Sequence, residues 1–116
     1  MNIQEITEIL DANVICGNDM QRVVLAACGS DMMSDVLAFV KDQAVLLTGL
    51  VNPQVVRTAD MLDMSCIVFV RGKVPTEDII NLANERDIIL LSTDYLLFTA
   101  CGRLYNAGLT GGTDKS

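Results

Sequence analysis

Thr48-Gly49-Leu50-Val51-Asn52-Pro53-Gln54, then a helix-like segment, then Cys66-Ile67-Val68-Phe69-Val70-Arg71-Gly72-Lys73 is the stretch that decides the fold. It predicts the end of one buried strand, a tight turn, a capped helix and the next buried strand. Asn52 suits an N-cap, because its side chain can accept an orphan N–H of the first turn. Pro53 suits the first helical position, where a missing N–H leaves no bond unmade. Val55, Val56, Ala59 and Leu62 then recur at helical spacing and form one buried stripe. Three of the chain's eight basic residues, Arg57, Arg71 and Lys73, lie in this stretch.

Outward from here the same pattern repeats. Apolar runs of strand length begin near Val23, Ala44, Cys66 and Ile88, roughly 22 residues apart, each followed by a turn and a helix-period segment. The runs are continuously apolar rather than alternating, as expected of strands covered on both faces. Strand, crossover helix and strand at this spacing predict parallel pairing. On the N-terminal side, Ile3, Ile6, Ile9 and Leu10 share a helical face, with Asn2 and Glu5 in capping-box positions. Val14-Ile15-Cys16, ended by Gly17-Asn18-Asp19, predicts a short strand forming a hairpin with the next one. Ser30 and Asp31 suit the start of a helix whose apolar side is Met32, Met33, Val36, Leu37 and Val40. Pro75 to Asp78 open another helix, with Ile79, Ile80, Leu82 and Ala83 inward. Thr93 or Asp94 opens the last, which Gly108 stops. The expectation is a single three-layer α/β domain over residues 1–109, with a mostly parallel sheet of four to five strands flanked by helices. Residues 110–116 read as a disordered tail.

Composition removes several function classes. A length of 116 residues and an apolar content of 51% suffice for a core without cross-links. A net charge of −7 and 4% aromatics argue against nucleic-acid binding, which needs a basic face or a stacking platform. There is no histidine, so Ser-His-Asp and Cys-His catalysis and imidazole metal sites are excluded. Cys16, Cys28, Cys66 and Cys101 are widely spaced among apolar neighbours and read as reduced core thiols. The methionines beside helical segments read as filler of the core or of a dimer face. Asp31 and Asp35 stand four apart; that spacing suits either a water-mediated Mg²⁺ or an acidic first helical turn. No metal or cofactor is expected. No P-loop or G-x-G-x-x-G is present. Neither a secretory signal nor an apolar run of about 20 residues is visible, which predicts a cytoplasmic protein that does not engage membranes.

In open parallel sheets, ligands bind beyond the carboxyl ends of the strands. The sequence places Ser30 and Asp31 after one strand and Thr48, Gly49 and Asn52 after the next. Arg71, Gly72 and Lys73 follow the third, and Ser92 and Thr93, with Asp94 next, follow the fourth. These ten candidates, Asp94 apart, suggest an anion cradle of hydroxyls, turn N–H groups and two cations. Helix capping calls for the same residue types with or without a ligand. The two cations are the distinctive part, because they reverse the sign of charge locally in an acidic chain.

Ser30 to Leu37, Leu47 to Gln54, Arg57 to Met61, Val68 to Lys73 and Leu90 to Tyr95 together resemble the short stand-alone DRTGG-domain proteins. The resemblance covers Ile3 to Leu109. It implies a domain related to the N-terminal domain of HPr kinase/phosphorylase, of a kind that accompanies CBS-domain pyrophosphatases as a regulatory or dimerising part. The chain departs at the name-giving motif. Its Gly-Asp-Arg part stands here as Gly49-Leu50-Val51 and its Thr-Gly-Gly part as Val70-Arg71-Gly72, so the acid is missing and a cation is present. Thr110-Gly111-Gly112 spells the letters out of place. The functional expectation is a non-catalytic regulatory domain, a homodimer, binding a small anionic metabolite or nucleotide at the strand ends. The alternative is a homodimeric interaction module that docks on a larger metabolic or redox enzyme without a small ligand. A mean hydropathy of +0.40 motivates that alternative.

Overall fold

The computed structural model describes residues 1–39 and 43–112. Val40, expected on the apolar side of a helix, and Thr113 to Ser116 of the expected tail lie outside the described residues. The elements follow one another as α1 (Ile3–Ile9), β1 (Asn13–Cys16), β2 (Ala26–Gly29), α2 (Met33–Phe39), β3 (Ala44–Thr48), α3 (Pro53–Met61), β4 (Cys66–Phe69), α4 (Glu77–Glu85), β5 (Ile89–Ser92) and α5 (Leu97–Asn106). They form one compact α/β domain.

The five strands make one sheet in the order β1-β5-β4-β3-β2. β2, β3, β4 and β5 pair in parallel, and β1 runs antiparallel along β5. The continuous apolar runs are explained by the layers above and below. Val45 and Leu47 of β3, Val68 of β4 and Leu91 of β5 point to a core shared with Ile3 and Ile6 of α1 and Ala100 and Leu104 of α5. Leu46, Ile67, Phe69 and Leu90 point the other way, to a core shared with α2, α3 and α4. With both faces covered, both sets of a two-residue alternation must be apolar.

Three local expectations change. The segment Val14 to Cys16 does not form a hairpin with β2; it crosses to the opposite edge and pairs with β5, with a bulge between Val14 and Cys16. The run that starts at Val23 enters the sheet only at Ala26. Before that, Val23 bridges Asn2, and the Val24 and Leu25 N–H groups donate to the Met1 and Gln43 carbonyls. The last helix is opened neither by Thr93 nor by Asp94. Its N-cap is Leu96, without a side-chain bond, and the Thr93 hydroxyl instead donates to the Leu10 carbonyl. The caps at Asn2, Asn52 and Gly108 stand as read. Asn2 and Glu5 form a reciprocal capping box, Asn52 accepts from Val55 N–H at 3.2 Å, and Gly108 takes a φ of +109° just past α5. The Thr110 carbonyl accepts the Ala27 N–H at 2.8 Å, so the chain beyond α5 returns to the β2 edge.

Candidate functional site

The carboxyl ends of β2, β3, β4 and β5 converge on one rim, and the ten candidates fall on or beside it. The centre of the rim is the turn after β3. The Asp31 carboxylate reaches over from the β2–α2 connection, and its Oδ1 accepts the Thr48 hydroxyl at 3.0 Å and the Gly49 N–H at 2.7 Å. The Thr48 oxygen in turn accepts the Leu50 N–H at 3.1 Å. Thr48 is fully buried, so this chain of bonds satisfies groups that would otherwise be costly to desolvate. Helix α2 begins at Met33, with the Met32 carbonyl accepting Val36 N–H. Asp31 therefore lies ahead of the helix rather than in its first turn, and it is turned toward Thr48 rather than paired with Asp35. Ser30 is not the cap; its Oγ closes a turn by accepting Met32 N–H at 3.0 Å.

Across Gly49 from Asp31 lies Arg71. A β-carbon at position 49 would stand 2.5 Å from Nη2 and 3.1 Å from Cζ of Arg71, so the guanidinium rests on bare backbone. Only glycine permits that approach. Arg71 itself has a φ of +61°. Four non-glycine residues among those described have a positive φ, and the other three are aspartates (Asp11, Asp63, Asp87), whose short side chains tolerate that region. For arginine the conformation costs on the order of 1–2 kcal/mol. It is held by two bonds to the β5–α5 connection: Arg71 N–H to the Tyr95 carbonyl and Gly72 N–H to the Thr93 carbonyl, both at 2.9 Å. Gly72 shares the left-handed conformation, and Asp94 Oδ1 stands beside it.

Three further candidates are hydrogen-bonded within the chain. The Ser92 hydroxyl donates to the Lys73 carbonyl at 2.7 Å, and that of Thr93 to the Leu10 carbonyl at 2.6 Å. Asn52 caps α3. The turn N–H groups expected to face a ligand are engaged inside the chain: Gly49's with Asp31, Gly72's with Thr93. Arg71 and Lys73 are exposed on the rim, as are Asp31 and Asp94. Among the described residues, the three ion pairs join Arg22 to Asp19, Arg22 to Asp87 and Arg86 to Asp60; none involves Arg71 or Lys73. Arg57 is exposed on α3 and lines a shallow cleft with Pro53 and with Asp78, Asn81 and Glu85 of α4. Tyr95, whose carbonyl fixes Arg71, was not singled out by sequence. Its part is played by a backbone atom, which leaves no residue-type signal.

All four cysteines are free thiols. Cys16 and Cys28 pack toward the α2–α3–α4 side of the sheet, whereas Cys66 and Cys101 belong to the α1–α5 side. Burial raises each thiol pKa, that of Cys66 to about 12, against a smaller lowering by Arg22. They are therefore protonated at neutral pH, which is the unreactive form.

A three-layer α/β domain with a mainly parallel sheet and a cationic pair on its carboxyl rim is the class these features define. The sequence matches the DRTGG domain over residues 5–107, nearly its whole length, and the chain belongs to that family. No curated protein matches it. Among solved structures, the fold is similar to that of the CBS and DRTGG domains of the regulatory region of Clostridium perfringens pyrophosphatase, crystallised with the activator diadenosine tetraphosphate. The TM-score is 0.75 at 21% identity, over 89% of this chain and 45% of that one. This chain thus spans less than half of that regulatory region. No helix among the described residues is long and apolar enough to cross a membrane.

Proposed function

We propose that this chain is a non-catalytic regulatory domain that acts as a cytoplasmic homodimer and senses a small anionic metabolite or nucleotide through Arg71 and Lys73. The observation that carries this reading is the Arg71 guanidinium. It is laid across Gly49 by a backbone in an unfavourable conformation, and no carboxylate lies within 4.0 Å of it among the described residues. Strain of this kind persists only where surrounding structure enforces it, and it clusters at ligand sites. A guanidinium also presents paired donors that match the oxygens of a phosphate. The similar regulatory region was solved with a nucleotide activator, which agrees with a ligand of this class.

A thermal-shift panel of nucleotides and phosphorylated metabolites tests the proposal. A ligand at 100 times its Kd stabilises the fold by about 2.7 kcal/mol, a readily measured shift. The response is expected to vanish in Arg71→Ala/Lys73→Ala. A panel without any hit, or a double variant that responds like the wild type, removes the site. Exposed Leu96 and Phe98 favour the second reading, a module that docks on a larger enzyme; a silent panel together with a partner recovered from the host would favour it instead.

A further inference from the structure

We propose that Arg103 is a positioning residue for the Arg71 site: acting through Tyr95, it holds the backbone on which the Arg71 guanidinium is seated. The left-handed Arg71-Gly72 turn has two fastenings, the carbonyls of Tyr95 and Thr93, each accepting an N–H at 2.9 Å. The two are not equally secure. Thr93 is tied into the domain, its N–H donating to the Phe69 carbonyl at 2.9 Å and its hydroxyl to the Leu10 carbonyl at 2.6 Å. Tyr95 lies past the end of β5, and its own N–H makes a longer bond, 3.3 Å, to the Thr93 hydroxyl. Its ring supplies the rest of its anchorage. One side packs on the α1–α5 core, and the Arg103 guanidinium stacks over the ring at 4.7 Å from its centre.

Arg103 is itself fixed from α1. Its Nε donates at 2.9 Å to the carbonyl of Ile9, in a final turn that holds no basic residue. The bond satisfies a carbonyl that the helix leaves without a partner, and the charge offsets the negative pole of the helix. The guanidinium is thus held between α1 and the Tyr95 ring, within the range at which a cation is attracted to an aromatic face. A continuous path runs from the Ile9 carbonyl through Arg103 and the Tyr95 ring to the Tyr95 carbonyl, and so to the N–H of Arg71. Left-handed backbone at a non-glycine residue persists only where its surroundings enforce it. Loosening the weaker fastening therefore lets the turn relax and lifts the guanidinium from Gly49.

This inference rests on the site proposed above, and amide exchange tests it without a ligand. In NMR hydrogen exchange on the ligand-free chain, Arg103→Ala is expected to speed exchange of the Arg71 N–H about fivefold or more, with the amides of β3 and β4 within about twofold of the wild type. Arg103→Lys, which keeps a cation over the ring, is expected to restore most of the protection. Tyr95→Ala is expected to match Arg103→Ala, and the double variant to be no worse than either, as for residues acting along one path. An unchanged Arg71 amide in Arg103→Ala overturns the proposal, as do effects that multiply in the double variant. Acceleration of all amides alike also overturns it, because Arg103 then serves general stability. A silent ligand panel removes the site but not this result, so the two readings fail separately.

Discussion

The Arg71 guanidinium lies over Gly49 on one side, while the Asp31 carboxylate binds the Gly49 N–H from the other. A cation and an anion thus meet at one glycine without pairing. A negative group already occupies the turn's N–H, so an incoming anion is left the outward-facing donors of Arg71 and Lys73. The arrangement separates groups that build the rim from groups that face solvent, and the variants below tell the two apart.

Gly49→Ala displaces the guanidinium, because the new β-carbon takes its place. The obstacle is the far end of a flexible side chain, so stability is expected to change by no more than about 1 kcal/mol in urea denaturation. The thermal response to the anionic ligand is expected to fall sharply. An unchanged response would show that the seating of Arg71 is irrelevant to binding.

Asp31 supports two opposite expectations. Asp31→Asn keeps an acceptor for Thr48 and Gly49 but removes a negative charge from the rim. Anion binding should tighten by up to about fivefold, for an interaction of less than about 1 kcal/mol in water-like surroundings. Asp31→Ala leaves the buried Thr48 hydroxyl and the Gly49 N–H without their acceptor, at a cost of about 1–3 kcal/mol in denaturation. Titration calorimetry on the first and urea melts on the second check the two halves separately.

Thr93→Val preserves shape and removes the donor to the Leu10 carbonyl at the end of α1. A loss of about 1–3 kcal/mol is expected, with the ligand response intact. Weakened ligand affinity at unchanged stability would return Thr93 to the binding groups.

The thiols set an alkaline limit. The Cys66 pKa rises from the ordinary 9.0 to about 12 on folding, so above pH 9 the unfolded chain releases a proton that the native state retains. Its stabilising contribution is complete below pH 9 and is lost as the pH rises toward 12, by at most about 1.4 kcal/mol per pH unit. The smaller rises at Cys16, Cys28 and Cys101 act in the same direction. Denaturation midpoints measured from pH 8 to 10.5 should fall, and Cys66→Ala should flatten the slope. A midpoint independent of pH would contradict the burial of Cys66.

The sequence by itself determined the alternation of strands and helices, the parallel core of the sheet, the cap at Asn52, the proline at the first position of α3 and the stop at Gly108. These follow from patterns within a dozen neighbouring residues: continuous apolar runs, helical periodicity and turn chemistry. It also marked the Arg71-Gly72-Lys73 turn, because a change of charge sign is visible without coordinates. Tertiary structure alone decided which edge of the sheet takes β1, since its four residues suit either neighbour, and it decided what each rim hydroxyl bonds. Thr93 reaches Leu10, 83 positions away, Asp31 reaches Gly49 and Tyr95 fixes Arg71. A serine or threonine after a strand can serve a cap, a ligand or a distant carbonyl with the same chemistry. Only the packing of remote segments selects among them, and here it engages the Ser92, Thr93 and Thr48 hydroxyls and the turn N–H groups within the chain, with Arg71 and Lys73 exposed on the same rim as Asp31 and Asp94.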